Sequence, residues 1–162
     1  MNVKRLTELG LLSTVALIIF VIELRIPNPF PIPAVKLGLA NIVTVYAVFR
    51  YRPSETALIV TVRLLLGAIF SGNLSALLYS AAGAINCLCG MLLLRRVLPE
   101  KQIWLCSVIG AMLHNAGQIT AAIIIMRSFS VIAYLPLLLV TGSLAGVFTG
   151  LCTQLLLNRI KR

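Results

Sequence analysis

Arg63, His114, Asn115 and Gln118 stand out chemically, because each lies inside a run of apolar residues where polar groups are rare. A guanidinium supplies a permanent charge and five donors, while an imidazole and two amides supply donors and acceptors. Such a set can hold the polar head of a small molecule. It cannot readily run a reaction: the only acids are Glu8, Glu23, Glu55 and Glu100, there is no aspartate, and no paired carboxylates or nucleophile–base constellation appears. The expectation is a binding protein, not an enzyme, with no catalytic residue. Cys87, Cys89, Cys106 and Cys152 all sit in apolar runs, where free cysteine behaves as a small hydrophobe. The "CLC" pair lacks zinc spacing, so neither a metal nor a covalently bound cofactor is expected.

The surroundings of these residues are those of a membrane. Of 162 residues, 60% are hydrophobic and 11% charged, whereas soluble domains are about half apolar and a quarter charged. Apolar runs broken by polar, Pro or Gly residues give six candidate spans, at about 6–24, 35–49, 54–70, 74–94, 102–126 and 135–157. Several approach or reach the roughly 20 residues that cross a bilayer. The first run lacks a small-residue cleavage site and is expected to remain as a helix. The chain therefore reads as one all-α transmembrane domain over 1–162, with the lipid bilayer as its first partner. Pro53 in "FRYRPSETA" forces a tight turn, with Ser54 and Glu55 in place to start the third helix. The net charge of +10 is no nucleic-acid footprint, since Lys and Arg cluster in short segments between apolar runs, as cytoplasmic loops do.

Counting positive residues by side sets an orientation. With the N-terminus inside, Lys4, Arg5, Arg50, Arg52, Arg95, Arg96, Lys101, Arg159, Lys161 and Arg162 fall on the inner side. Only Arg25, Lys36, Arg63 and Arg127 fall outside or within the membrane. Both termini are expected in the cytoplasm. Odd spans then run outward, and the remaining polar residues collect in the outer half: Lys36, Asn41, Arg63, Asn73, Tyr79, Asn86, His114, Asn115 and Gln118. An intramembrane ionisable group costs roughly 2.5–3.5 kcal/mol on insertion scales unless it meets a cavity or a partner. A polar cavity open to the outside explains the clustering, and these nine residues are its expected lining. Residues 114, 115 and 118 are spaced to share a face. Outer cations exceed Glu23, so an anionic ligand is favoured.

Plainer roles compete for the same residues. Arg63 and Glu23 could form a purely structural pair, and His114 with Asn115 could clip two helices together. Lys36 and Arg25 could be anchors that snorkel to the surface. Thr7, Gly10 and Thr14 in the first span, and Gly142, Gly146 and Gly150 in the sixth, make small-residue faces suited to internal packing or to docking another membrane subunit.

Several segments also carry a resemblance. "PAVKLGLANIV", the "YRPSETAL" turn, "GAIFSGN" and "YSAAGAINCLCGMLLLRRV" are similar to the membrane-embedded substrate-binding subunits, or S components, of energy-coupling-factor transporters. More narrowly, "VKLGLANIV" and "RLLLGAIFSG" resemble the heptaprenyl diphosphate synthase component I, or Gx transporter, family. The resemblance implies a six-helix S-component-like bundle in a bacterial plasma membrane, with a small amphipathic ligand held near the outer surface. It implies a cap formed by the loop after the first helix, residues 25–35, where Pro29, Phe30, Pro31 and Pro33 would make a stiff lid and Lys36 its rim. The ligand would belong to isoprenoid, quinone or flavin metabolism, and partners would be a transmembrane coupling subunit and separate ATPase subunits. The alternative is a membrane subunit of a quinone- or flavin-linked extracellular electron-transfer system. The chain has no aspartate-rich motif and so does not resemble a prenyl synthase itself. It has no "GxxxxGK[ST]" either, which leaves ATP hydrolysis to partners. A clear "AxxxA" for docking a coupling subunit is missing from the first helix.

Overall fold

The computed structural model describes residues 3–26, 38–72 and 74–160, apart from the side chains of Leu24, 74–76 and Glu100. Lys36, Asn73 and the lid residues Pro29, Phe30, Pro31 and Pro33 lie outside the described residues.

Six α-helices carry the described chain: α1 (Val3–Arg25), α2 (Asn41–Arg50), α3 (Pro53–Ser71), α4 (Leu74–Leu94), α5 (Ile103–Met126) and α6 (Leu135–Ile160). Short 3₁₀ segments at Glu100–Gln102 and Phe129–Tyr134 lead into the last two. The helix bounds follow local chemistry. Pro53 occupies the first turn of α3, where its missing N–H costs nothing. The Glu55 carboxylate accepts from the Arg52 backbone N–H at 2.9 Å, and Gly72 closes the helix in the left-handed region at φ 63°.

Five segments are long and apolar enough to cross a membrane: Val3–Glu23, Pro53–Ser71, Leu77–Leu94, Ile103–Met126 and Phe129–Ile160. The protein is a multi-pass membrane protein. The exception corrects the expected second span of 35–49. α2 has 10 residues and at 1.5 Å per residue is about 15 Å long, half of a hydrocarbon core about 30 Å thick. It is short because protein, not lipid, surrounds it: Val45, Ala47 and Val48 have no exposed surface, and α2 touches all five other helices.

Contacts fix the directions. Arg5 meets Glu55 near the starts of α1 and α3, and Phe20 meets Gly67 further along both, so these two run parallel. α4 and α5 run antiparallel, with Met91 against Gly110 and Ala82 against Gly117. α6 runs back along α5, its Gly142, Gly146 and Gly150 seated on Asn115, Val108 and Trp104. A Cβ on Gly150 would lie 2.6 Å from the Trp104 Cα; these glycines let two backbones touch. The small-residue stripe of the sixth span thus serves internal packing. That of α1 differs, since Thr7, Gly10 and Thr14 are exposed.

The end of the bundle where α1 starts is tied by ions. Arg5 reaches Glu55 with two N–H···O bonds of 2.9 Å, and lies 3.4 Å from Glu8. Its guanidinium stacks 4.1 Å from the Tyr51 ring centroid. Tyr51 donates to Glu8 at 3.2 Å, and Arg95 donates to the carbonyls of Val48 and Tyr51 that end α2. Lys4, Arg50, Arg52, Arg96, Lys101 and Arg159 are exposed around this end. At the other end the described cations are Arg25 and Arg127, both exposed.

Candidate functional site

The cavity lies away from that ionic cluster, towards the opposite end. It encloses about 500 Å³, counting the space open at its mouth, and is lined by Phe20 and Glu23 of α1, Gly38, Ala40 and Asn41 at the head of α2, and Arg63, Leu64, Gly67, Ala68 and Ser71 of α3. Leu77 and Ser80 of α4 and His114 and Gln118 of α5 complete it. The mixture of apolar wall and few polar groups is typical of small-molecule sites.

Arg63 is 6% exposed. Its Nη1 donates to Asn41 Oδ1 at 3.3 Å, and it is attracted by the Glu23 carboxylate. No ion pair within 4 Å joins Arg63 to Glu23 among the described residues. Glu23 Oε1 instead accepts from the Gly38 backbone N–H at 2.5 Å. Gly38 has φ 80°, a turn that suits glycine, and the chain folds into α2 directly after it, with Asn41 N–H on the Gly38 carbonyl at 2.9 Å. The N-terminus of this half-length helix therefore points into the cavity with its positive dipole end, already faced by one carboxylate. Half-helices ending beside a cavity at membrane depth are how spanning proteins present backbone to a polar guest.

His114 and Gln118 occupy one face of α5, one turn apart. They are 6% and 1% exposed, respectively. The His114 ring and backbone pack against Gly83. The ring Nδ1 and the Oε1 of Gln118 have no hydrogen-bond partner among the described residues, an uncommon state for buried polar atoms. Gly83 makes this approach feasible, since a Cβ there would lie 2.8 Å from the His114 carbonyl oxygen and 2.9 Å from Gln118 Cγ.

The expected residues separate as follows. Asn41, Arg63, His114 and Gln118 come together in the cavity lining. Asn115 turns away from its neighbours and donates to the Leu138 carbonyl at 2.5 Å; it is the clip between α5 and α6. Tyr79 packs against a core of Ile119, Ala122, Val131 and Leu138. Asn86 is exposed, and its amide lies over Gly117. Sequence reasoning missed Ser71 and Ser80, which look like ordinary small helix residues, and treated Glu23 as a charge partner rather than as lining. The acid-to-glycine pairing of Glu23 with Gly38 had no visible signal, since 15 residues separate the two.

Buried polar groups gathered around a cavity inside an apolar helical bundle define a multi-pass membrane protein with an internal polar cavity. Residues 12–156, nearly the whole chain, match the family model of heptaprenyl diphosphate synthase component I, and the chain belongs to that family. A family described as component I of a synthase implies at least one further component. No curated protein and no solved structure matches the chain.

Proposed function

We propose that the chain is a membrane-embedded substrate-binding subunit, of the kind found as S components in energy-coupling-factor transporters. It takes a small amphipathic molecule with an anionic head into the cavity, with Arg63 as the anchor for that head. The observation that carries this is Arg63 itself: a buried guanidinium whose one hydrogen-bond partner among the described residues is a neutral amide, on the wall of an open cavity. A cation purely for structure would be better served by a close carboxylate. The apolar walls suit a hydrocarbon or ring portion, the family's name points to isoprenoid metabolism, and the ligand is placed in the isoprenoid, quinone or flavin sphere. Transport would need a transmembrane coupling subunit and separate ATPase subunits. The surplus of Lys and Arg where the chain begins favours placing the termini in the cytoplasm of a bacterial cell, with the cavity towards the outside.

Native mass spectrometry of the protein extracted from its own membrane tests the proposal. The expected result is a retained small amphipathic acid that disappears from Arg63→Gln at unchanged helix content. Retention of ordinary lipids alone, equal in wild type and variant, would overturn it.

A further inference from the structure

Arg63 accounts for one side of the cavity's hydrogen bonding, and α5 presents the opposite kind. His114 Nδ1 and Gln118 Oε1 have no hydrogen-bond partner among the described residues, on side chains more than nine-tenths buried. The ring lies against Gly83, and Nδ1 is its buried nitrogen without a partner among the described residues; with the single proton of a neutral ring on Nε2, Nδ1 is an acceptor. A second proton would add a cation next to Arg63 in an apolar setting, an arrangement that buried sites avoid. Nδ1 therefore offers a lone pair, as does the amide oxygen one helical turn on. Glu23 adds a carboxylate to the same lining.

We infer that the cavity selects a ligand whose head carries a hydrogen-bond donor, such as a hydroxyl or N–H, for His114 and Gln118, beside a single acceptor-bearing anionic group for Arg63. This rests on the proposal that the cavity binds a ligand, and narrows the class. A head that can only accept, such as a fully ionised diphosphate, would set its lone pairs against those of Nδ1 and Oε1. A hydroxy acid, or a ring N–H flanked by carbonyls, complements donors and acceptors together. Leaving two buried acceptors empty makes the ligand-free protein less stable than an apolar version of the same wall, the usual signature of polarity kept for a guest.

Three eight-carbon probes test this on the protein in lipid nanodiscs at pH 8. Octanoate and octyl sulfate are acceptor-only anions, and 2-hydroxyoctanoate adds one hydroxyl. The hydroxy acid is expected to bind at least about tenfold more tightly than the other two, since a site with buried acceptors discriminates strongly against an analogue that leaves them unpaired. Gln118→Met and His114→Phe should bring the ratio to about one by weakening the hydroxy acid alone. Without any probe, Gln118→Met should raise the melting temperature. If octanoate and 2-hydroxyoctanoate bind equally, both through Arg63, the donor inference fails while the binding site stands. If the preference survives in both variants, His114 and Gln118 are not its source and the assignment falls. If no probe binds and Gln118→Met lowers the melting temperature, the amide is structural or water-filled, and inference and binding proposal fall together.

Discussion

The two ends of the bundle treat charge in opposite ways. Around Arg5 each partner is itself charged or a ring: two carboxylates and an aromatic face lie within reach, and the oxygens of Glu55 take a side-chain fork and a backbone N–H. Around Arg63, 22 residues from its amide partner Asn41, a cavity lies where a second partner could stand, and two polar atoms on α5 have no partner among the described residues. The first arrangement leaves little for a guest to add, and it joins α1, α2 and α3 where lipid head groups and water are near. The second is under-satisfied in a place where water is scarce and polarity is expensive. Polar groups held in that state are the ones to suspect of binding, whereas an abundance of charge alone only marks an end of the molecule.

The largest expected effect concerns which end faces outward, because the answer is all or none. In a variant without the native cysteines, a single Cys at Ser130 should react with an impermeant thiol reagent in intact cells, and one at Pro99 should be protected until the membrane is opened. The two sites lie in the 3₁₀ segment before α6 and in the turn before α5. The reverse pattern would turn the cavity towards the cytoplasm and remove the case for uptake from outside.

Next in size is Arg63→Gln. Loss of one charge-assisted hydrogen bond should weaken an anionic amphiphile by about 1.5–3 kcal/mol, read by isothermal titration, with the ionic cluster at the other end undisturbed. Unchanged affinity with collapsed stability would make Arg63 a structural group like Arg5, and the contrast between the ends would vanish.

Gly83→Ala should sharpen the contrast by damaging one end alone. The new methyl meets the His114 backbone oxygen at 2.8 Å, and backbone cannot step aside as a side-chain tip can. Forcing α4 and α5 apart should cost about 1–3 kcal/mol of stability and displace both His114 and Gln118, so that ligand binding falls as well. A variant that binds normally would mean that the wall of α5 tolerates movement and does not set the site.

Much of this architecture was readable from residue patterns, and the limits have physical causes. The bounds of α1, α3, α4, α5 and α6 follow apolar runs and punctuation such as Pro53 and Gly72, because lipid imposes one solvent on every exposed face. α2 escaped that logic: burial on all sides removes the length requirement, so hydropathy could not distinguish a half-helix from a span. Depth picked out Asn41, Arg63, His114 and Gln118, since polar groups at one level tend to share a cavity. Depth cannot say which way a side chain turns. Asn115, one residue from His114, goes to α6 and Asn86 to the surface, because a single residue step rotates about 100° around the helix axis.

The smallest effect is expected at the well-satisfied end, from Tyr51→Phe. The phenol is 8% exposed and lies in the turn between α2 and α3. Burial first, and the Glu8 carboxylate second, push it above its ordinary value of 10.0. The folded state thus holds the phenolic proton more tightly than the unfolded chain does. That difference favours folding in full below pH about 10 and fades as the pH climbs through the raised folded value. Removing the hydroxyl deletes the bond to Glu8, at a cost of about 0.5–1.5 kcal/mol near neutral pH. It also deletes the titration. Wild type should therefore melt slightly above Tyr51→Phe at pH 8, and the gap should close as the pH is raised beyond 10, with ligand affinity the same in both proteins at pH 8. A gap that widens with pH would mean that the phenolate is the better-held form, with Arg5 rather than Glu8 dominating its surroundings. The terminal end would then hold a charge-seeking group of its own.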